Sequence, residues 1–136
     1  MDEKLKILVV DDDELAQDVF RFYLLKKFEV YTVGSVSSFY NIISKVDFNI
    51  ILMDISLHDI KDGIELTSEL RKNPKYKNIP ILMLTIFNST STKIHAKEAG
   101  ADMFINKPVE GRELIRIIES VNTSGISFKA TLQSDN

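Results

Sequence analysis

The sequence predicts an α/β domain built on a doubly wound, five-stranded parallel sheet. Short apolar runs alternate with segments of helical period along most of the chain, the pattern of βα units. The connections between them are short, and right-handed crossovers then favour an open sheet with helices on both faces. Polar residues also close four of the apolar runs. Asp11-Asp12 follows Ile7 to Val10, and Asp54 follows Ile50 to Met53. Thr85 follows Ile81 to Leu84, and Lys107-Pro108 follows Met103 to Asn106. In parallel strands these features gather at one sheet edge, where such folds bind their ligands.

The first strand is expected at about residues 6 to 11 and the first helix at about 14 to 27, with Asp13 as N-cap. Leu15, Val19 and Phe22 share one face of that helix at i, i+4 and i+7 spacing. Glu29 to Val33 is a short second strand ended by Gly34. Ser35 or Ser37 caps a helix carrying Phe39, Ile42, Ile43 and Val46. Phe48 to Met53 is apolar almost throughout, as a strand covered on both faces should be. A loop of about eight residues runs to Gly63. Ile64, Leu66 and Leu70 mark the third helix, which Asn73-Pro74 ends.

Ile79 to Leu84 is the fourth strand. The polar stretch Asn88 to Thr92 opens a fourth helix of weak amphipathicity that stops at Gly100. Met103 to Ile105 is the fifth strand, and the last helix shows a clean stripe of Leu114, Ile117, Ile118 and Val121. The domain therefore spans residues 1–124, and residues 125–136 read as a tail or the start of a linker.

Composition narrows the function. The chain has 136 residues, 44% of them apolar, enough for one core without disulfides or structural metal. It has no cysteine, which excludes thiolate metal sites and cysteine nucleophiles and agrees with a cytoplasmic location. With 17 basic and 20 acidic residues the net charge is −3, so no direct nucleic-acid binding is expected. No run is long enough to cross a bilayer, so no membrane partner is expected.

Asp11, Asp12 and Asp54 are hard oxygen ligands suited to Mg²⁺. Lys107 can reach across the edge as a compact charge for phosphate or carboxylate, and the Thr85 hydroxyl can donate to a phosphoryl oxygen. Each has an ordinary explanation alone. An acidic pair caps a helix, threonine is a normal strand residue, and most lysines are solvated. Phe104 reads as core, and His58 and His95 read as surface histidines. The weight lies in the set.

That ordered set resembles the receiver domain of two-component response regulators. ILVVDD at 7–12, Met53-Asp54, Asp62-Gly63, PILMLT at 80–85, Gly100-Ala101-Asp102 and Lys107-Pro108 carry the likeness over roughly residues 5–123. The resemblance implies a flavodoxin-like (βα)5 fold with strand order 2-1-3-4-5. It implies that Asp54 accepts a phosphoryl group from a histidine kinase or phosphotransfer protein, making the chain a signalling domain rather than an enzyme. Asp11, Asp12, Asp54 and the carbonyl of Ser56 would serve Mg²⁺, Asp11 largely through water. Lys107 and Thr85 would contact the phosphoryl oxygens, and Phe104 would turn inward as Thr85 moves. The face of the fourth helix, fifth strand and fifth helix would serve a partner or a second copy, with Lys93, Lys97, Asp102 and Arg116 available for charge pairs.

Three departures from the family pattern stand out. His58 occupies a position often held by proline, the stretch from Asp54 to Gly63 is one residue longer than the commonest spacing, and bulky Ile86 and Phe87 follow Thr85. They predict slow transfer from small-molecule donors or a long-lived phosphorylated state. Two alternatives stay open on sequence: a Mg²⁺-dependent aspartyl phosphohydrolase, and a degenerate receiver that only docks. A flavodoxin-like electron carrier fits less well, since three consecutive aspartates after the first strand would repel a cofactor phosphate.

Overall fold

The computed structural model describes residues 4–123 and 129–130. Strands β1 (Lys6–Val10), β2 (Glu29–Val33), β3 (Ile50–Asp54), β4 (Ile81–Thr85) and β5 (Met103–Asn106) alternate with helices α1 (Glu14–Leu24), α2 (Val36–Ile43), α3 (Gly63–Arg71), α4 (Thr90–Ala99) and α5 (Gly111–Thr123). The strands pair in parallel in the order 2-1-3-4-5, as the family resemblance implies. Their carboxyl ends therefore share one edge.

The described part of the segment read as a tail or linker adds one element. Lys129–Ala130 form a short sixth strand, β6, parallel to β5 in the register Met103↔Lys129 and Phe104↔Ala130. The rest of the segment 125–136 lies outside the described residues.

The central strands explain the sheet's position. Every side chain of β3 and β4 is buried, and alternate residues feed opposite faces. Leu8, Val10, Ile51, Met53, Ile81 and Met83 join Phe39, Leu66 and Ala96 in one cluster, beneath α2, α3 and α4. Ile7, Val9, Leu52, Leu82 and Leu84 join Phe20, Leu114 and Ile118 in the other, beneath α1 and α5. Burial of each such side chain stabilises the fold by about 1.5–3 kcal/mol.

Helix starts are fixed by side-chain caps, at Asp13 and Ser35 as expected and at Asp62 and Ser89 in addition. Asp13 accepts from Leu15 N, Ser35 forms a capping box with Ser38, Asp62 forms one with Glu65, and Ser89 accepts from Thr92 N. Gly100 closes α4 at φ 109°, a left-handed conformation that glycine adopts without a Cβ clash. Gly63 has a different reason: a Cβ there would stand 2.2 Å from the Asp54 carbonyl oxygen. Only glycine lets α3 begin so close to the end of β3.

The first helix departs from expectation. Leu15, Val19 and Phe22 do share a face, but it points outward, at 71%, 42% and 75% exposure. Phe20 and Leu24 are the residues α1 buries on the sheet. Helical period located an apolar stripe; packing buried the nearly opposite face.

Candidate functional site

Asp54 is the last residue of β3, and Asp11 immediately follows β1; both are buried. Backbone pairing extends past the strands and holds them there. Asp11 N donates to Val33 O at 3.0 Å, and Ile55 N donates to Leu84 O at 3.1 Å. Asp11 Oδ1 accepts from Asp13 N at 3.0 Å, and the Asp11 carbonyl accepts from Gln17 Nε2 at 2.6 Å. The acidic turn is thus anchored by its own backbone and by α1.

Lys107 reaches into the same space from β5. Its backbone N donates to Thr85 O at 2.8 Å, and a cis peptide joins it to Pro108. Its Nζ lies 3.0 Å from Asp11 Oδ2 and 3.6 Å from Asp54 Oδ1. Asp54 Oδ1 also accepts from Ser56 N at 3.3 Å. Burial nevertheless dominates the charge balance. It pushes the Asp54 carboxyl up to about 6, opposed by Lys107 and reinforced by the negative charges of Asp11 and Asp12.

These residues fit a hard divalent cation. Asp11, Asp12 and Asp54 each offer a carboxylate oxygen within 4.8 Å of the others. Three carboxylates against one ammonium leave negative charge that a cation would neutralise, and an all-oxygen donor set suits Mg²⁺. Ser56 lines the crevice with them, a space of about 180 Å³.

Thr85 ends β4 and is buried; its Oγ1 accepts from Phe87 N at 3.0 Å, which leaves the hydroxyl hydrogen to donate. Phe104 does not enter the crevice. It is fully buried in the cluster beneath α4, with Lys93 Nζ 5.9 Å from its ring centroid. Ile86 and Phe87 are exposed, at 70% and 54%, and Ile86 forms part of the crevice wall.

Two residues have partners that the sequence did not reveal. His58, read as an ordinary surface histidine, does face solvent, yet its Nδ1 lies 3.0 Å from Asp12 Oδ2 and it lines the crevice. The usable signal was its place in the loop that follows Asp54. Asp102 is not held ready for a partner: its carboxylate pairs with Arg71 Nη2 at 2.8 Å and accepts from Ile81 N at 2.9 Å. Arg116 pairs with Glu113 along α5.

Beside the crevice runs an apolar groove of about 370 Å³. Leu15, Val19 and Tyr23 of α1 form one wall, Pro108 and Val109 the other. Ile86 and Lys107 border both groove and crevice.

A domain of this topology, with acids after β1 and at the end of β3 and a lysine after β5, is a receiver. Comparison with known proteins agrees. The family model for the response regulator receiver domain matches residues 7–119. The chemotaxis response regulator CheY4 of Vibrio cholerae is 28% identical with a TM-score of 0.82, over 88% of this chain and 99% of that one. A CheY-like receiver domain protein from Methanospirillum hungatei is 29% identical with a TM-score of 0.79, over 87% and 93%. NtrX from Brucella abortus is 28% identical with a TM-score of 0.80, over 87% of this chain but 27% of that longer one. The chain belongs to the response regulator receiver domain family. Among the described residues no helix is long and apolar enough to cross a membrane.

Proposed function

We infer that Asp54 accepts a phosphoryl group from a phosphohistidine on a sensor kinase or phosphotransfer protein, and that the modification changes which partners the domain binds. The observation that carries this is the convergence on one buried carboxylate of a lysine ammonium at 3.6 Å and two further carboxylates. An Asp54 carboxylate oxygen forms the new bond to phosphorus as the N–P bond of the donor breaks. The donor imidazole, protonated on its other ring nitrogen, keeps the electron pair of the broken bond and leaves as neutral imidazole. Transfer of this kind needs alignment and charge neutralisation more than covalent help.

Lys107 supplies positive charge beside the acceptor, and its bond to the Thr85 carbonyl fixes where that charge sits. Thr85 offers its hydroxyl to an oxygen of the transferred group. Mg²⁺, held by Asp12, Asp54 and the Ser56 carbonyl with Asp11 acting through water, would neutralise charge on the phosphoryl oxygens. The acyl phosphate adds charge and acceptor oxygens at the edge, drawing Thr85 and the β4–α4 segment toward it. Polar, thinly packed α4 buries only Ala96, which makes it the element to respond.

The groove along α1 seats the donor protein. Any donor that brings phosphohistidine to Asp54 must lie over the crevice rim, and Ile86 and Lys107 make groove and crevice continuous. The domain is a signalling switch of the cytoplasm that assists its own phosphorylation.

The test is incubation with Mg²⁺ and a phosphorylated histidine phosphotransfer protein, followed by intact-mass measurement. The wild type gains one phosphoryl group and Asp54→Ala gains none. Equal labelling of both proteins would rule Asp54 out as the acceptor.

A further inference from the structure

Of the features at the crevice that the proposed chemistry does not use, His58 is the most specific. Its ring Nδ1 stands 3.0 Å from Asp12 Oδ2. Metal–ligand bonds of about 2.1 Å place adjacent corners of an octahedron about 3.0 Å apart. In the absence of a cation this contact is a hydrogen bond from the ring to the carboxylate. The same spacing lets a cation bound through Asp12 Oδ2 take the His58 nitrogen at a neighbouring corner once Nδ1 gives up its hydrogen.

The backbone holds the ring in this position. His58 has φ 51°, the only positive φ outside glycine among the described residues. Histidine enters this left-handed region more readily than most side chains, though not without strain. The next residue fixes the loop, because Asp59 accepts from Val36 N at 2.9 Å and from Ile60 N at 2.7 Å. The side chain is 80% exposed, so packing does not set its orientation. The crevice does.

We propose that His58 is a nitrogen ligand of the cation site and shifts its preference from Mg²⁺ toward a first-row transition cation such as Mn²⁺. The inference rests on the reading of Asp12 and Asp54 as cation ligands. Carboxylate oxygens serve both ions, but an imidazole nitrogen suits transition cations and adds little for Mg²⁺. The nitrogen that binds is the unprotonated Nδ1 of the tautomer carrying its hydrogen on Nε2.

Binding of Mn²⁺ and Mg²⁺, measured in competition on the full chain, tests this without reference to phosphorylation. Pulsed electron paramagnetic resonance of the Mn²⁺ complex should show a directly bound ¹⁴N. His58→Gly, which tolerates the loop's positive φ, should lose that signal and lower the Mn²⁺-to-Mg²⁺ affinity ratio by about tenfold. His95→Gln on α4 should keep both. An unchanged ratio in His58→Gly overturns the proposal while leaving the cation site intact. Failure of the wild type to bind either ion overturns it together with the metal part of the proposed function.

Discussion

Helices α1 and α5 pack side by side on the same face of the sheet, and in the sequence both carry an apolar stripe of helical period. The α5 stripe of Leu114, Ile117, Ile118 and Val121 is buried. The α1 stripe of Leu15, Val19 and Phe22 faces outward, with Leu15 and Val19 lining the groove beside the crevice, and Phe20 and Leu24 do the packing instead. Both helices are apolar enough to bury a face. What separates them is that α1 has more apolar surface than the sheet can cover, and the surplus borders the site.

Stability measurements give the widest separation between the two. Ile118→Ala should lower unfolding free energy by about 2–4 kcal/mol, because it opens a cavity among buried neighbours. Leu15→Ala should change it by no more than about 0.5 kcal/mol. Urea denaturation compares them, and a loss for Leu15→Ala as large as that for Ile118→Ala would place α1's outer stripe in the core.

Asp54 supplies the next effect. Burial raises its folded pKa to about 6 from an ordinary value of 3.8. The folded protein then binds the proton more tightly than the unfolded chain. Its contribution to stability is fully present below the unfolded pKa and is lost as pH rises through about 6. Without divalent cations, Asp54→Asn should therefore be more stable than wild type at neutral pH, by about 1–3 kcal/mol. The gain should fade as pH drops from 6 toward 4. A gain that is constant across that range would show that ionisation is not its cause.

Function should respond in the opposite way to structure along α1. Leu15→Asp should slow phosphoryl transfer from a phosphohistidine protein by about tenfold, equivalent to about 1.4 kcal/mol. It should leave labelling by a small phosphodonor unchanged. Equal slowing with both donors would mean that the substitution disturbs the crevice and not the groove. The smallest effect concerns Ile86, at the border of the two. Ile86→Ala should speed loss of phosphate from Asp54 by a factor of about two to five, under 1 kcal/mol, by opening the crevice to water. Equal lifetimes would remove Ile86 as a barrier.

The legible parts of the sequence are those where one force dominates. All-apolar runs such as Ile50 to Met53 admit a single reading in a chain of this size, and the polar residues after them mark the sheet edge. Asp13, Ser35 and Gly100 were legible as caps because their chemistry is local. The face that α1 buries was not, since the helix carries apolar residues on two nearly opposite faces and period alone cannot choose between them. Nor was the contact of His58 with Asp12, which spans 46 residues and depends on a left-handed turn in a loop without periodicity. Asp102 misled for a similar reason: its partner, Arg71, lies 31 residues away on α3.

The most direct measurement is chemical mapping of the phosphorylated residue. After transfer from phosphohistidine, borohydride reduction converts an aspartyl phosphate to homoserine, which peptide mass spectrometry locates. The account predicts homoserine at position 54 and nowhere else. Homoserine at another aspartate, or none in protein that has taken up phosphate, would contradict it.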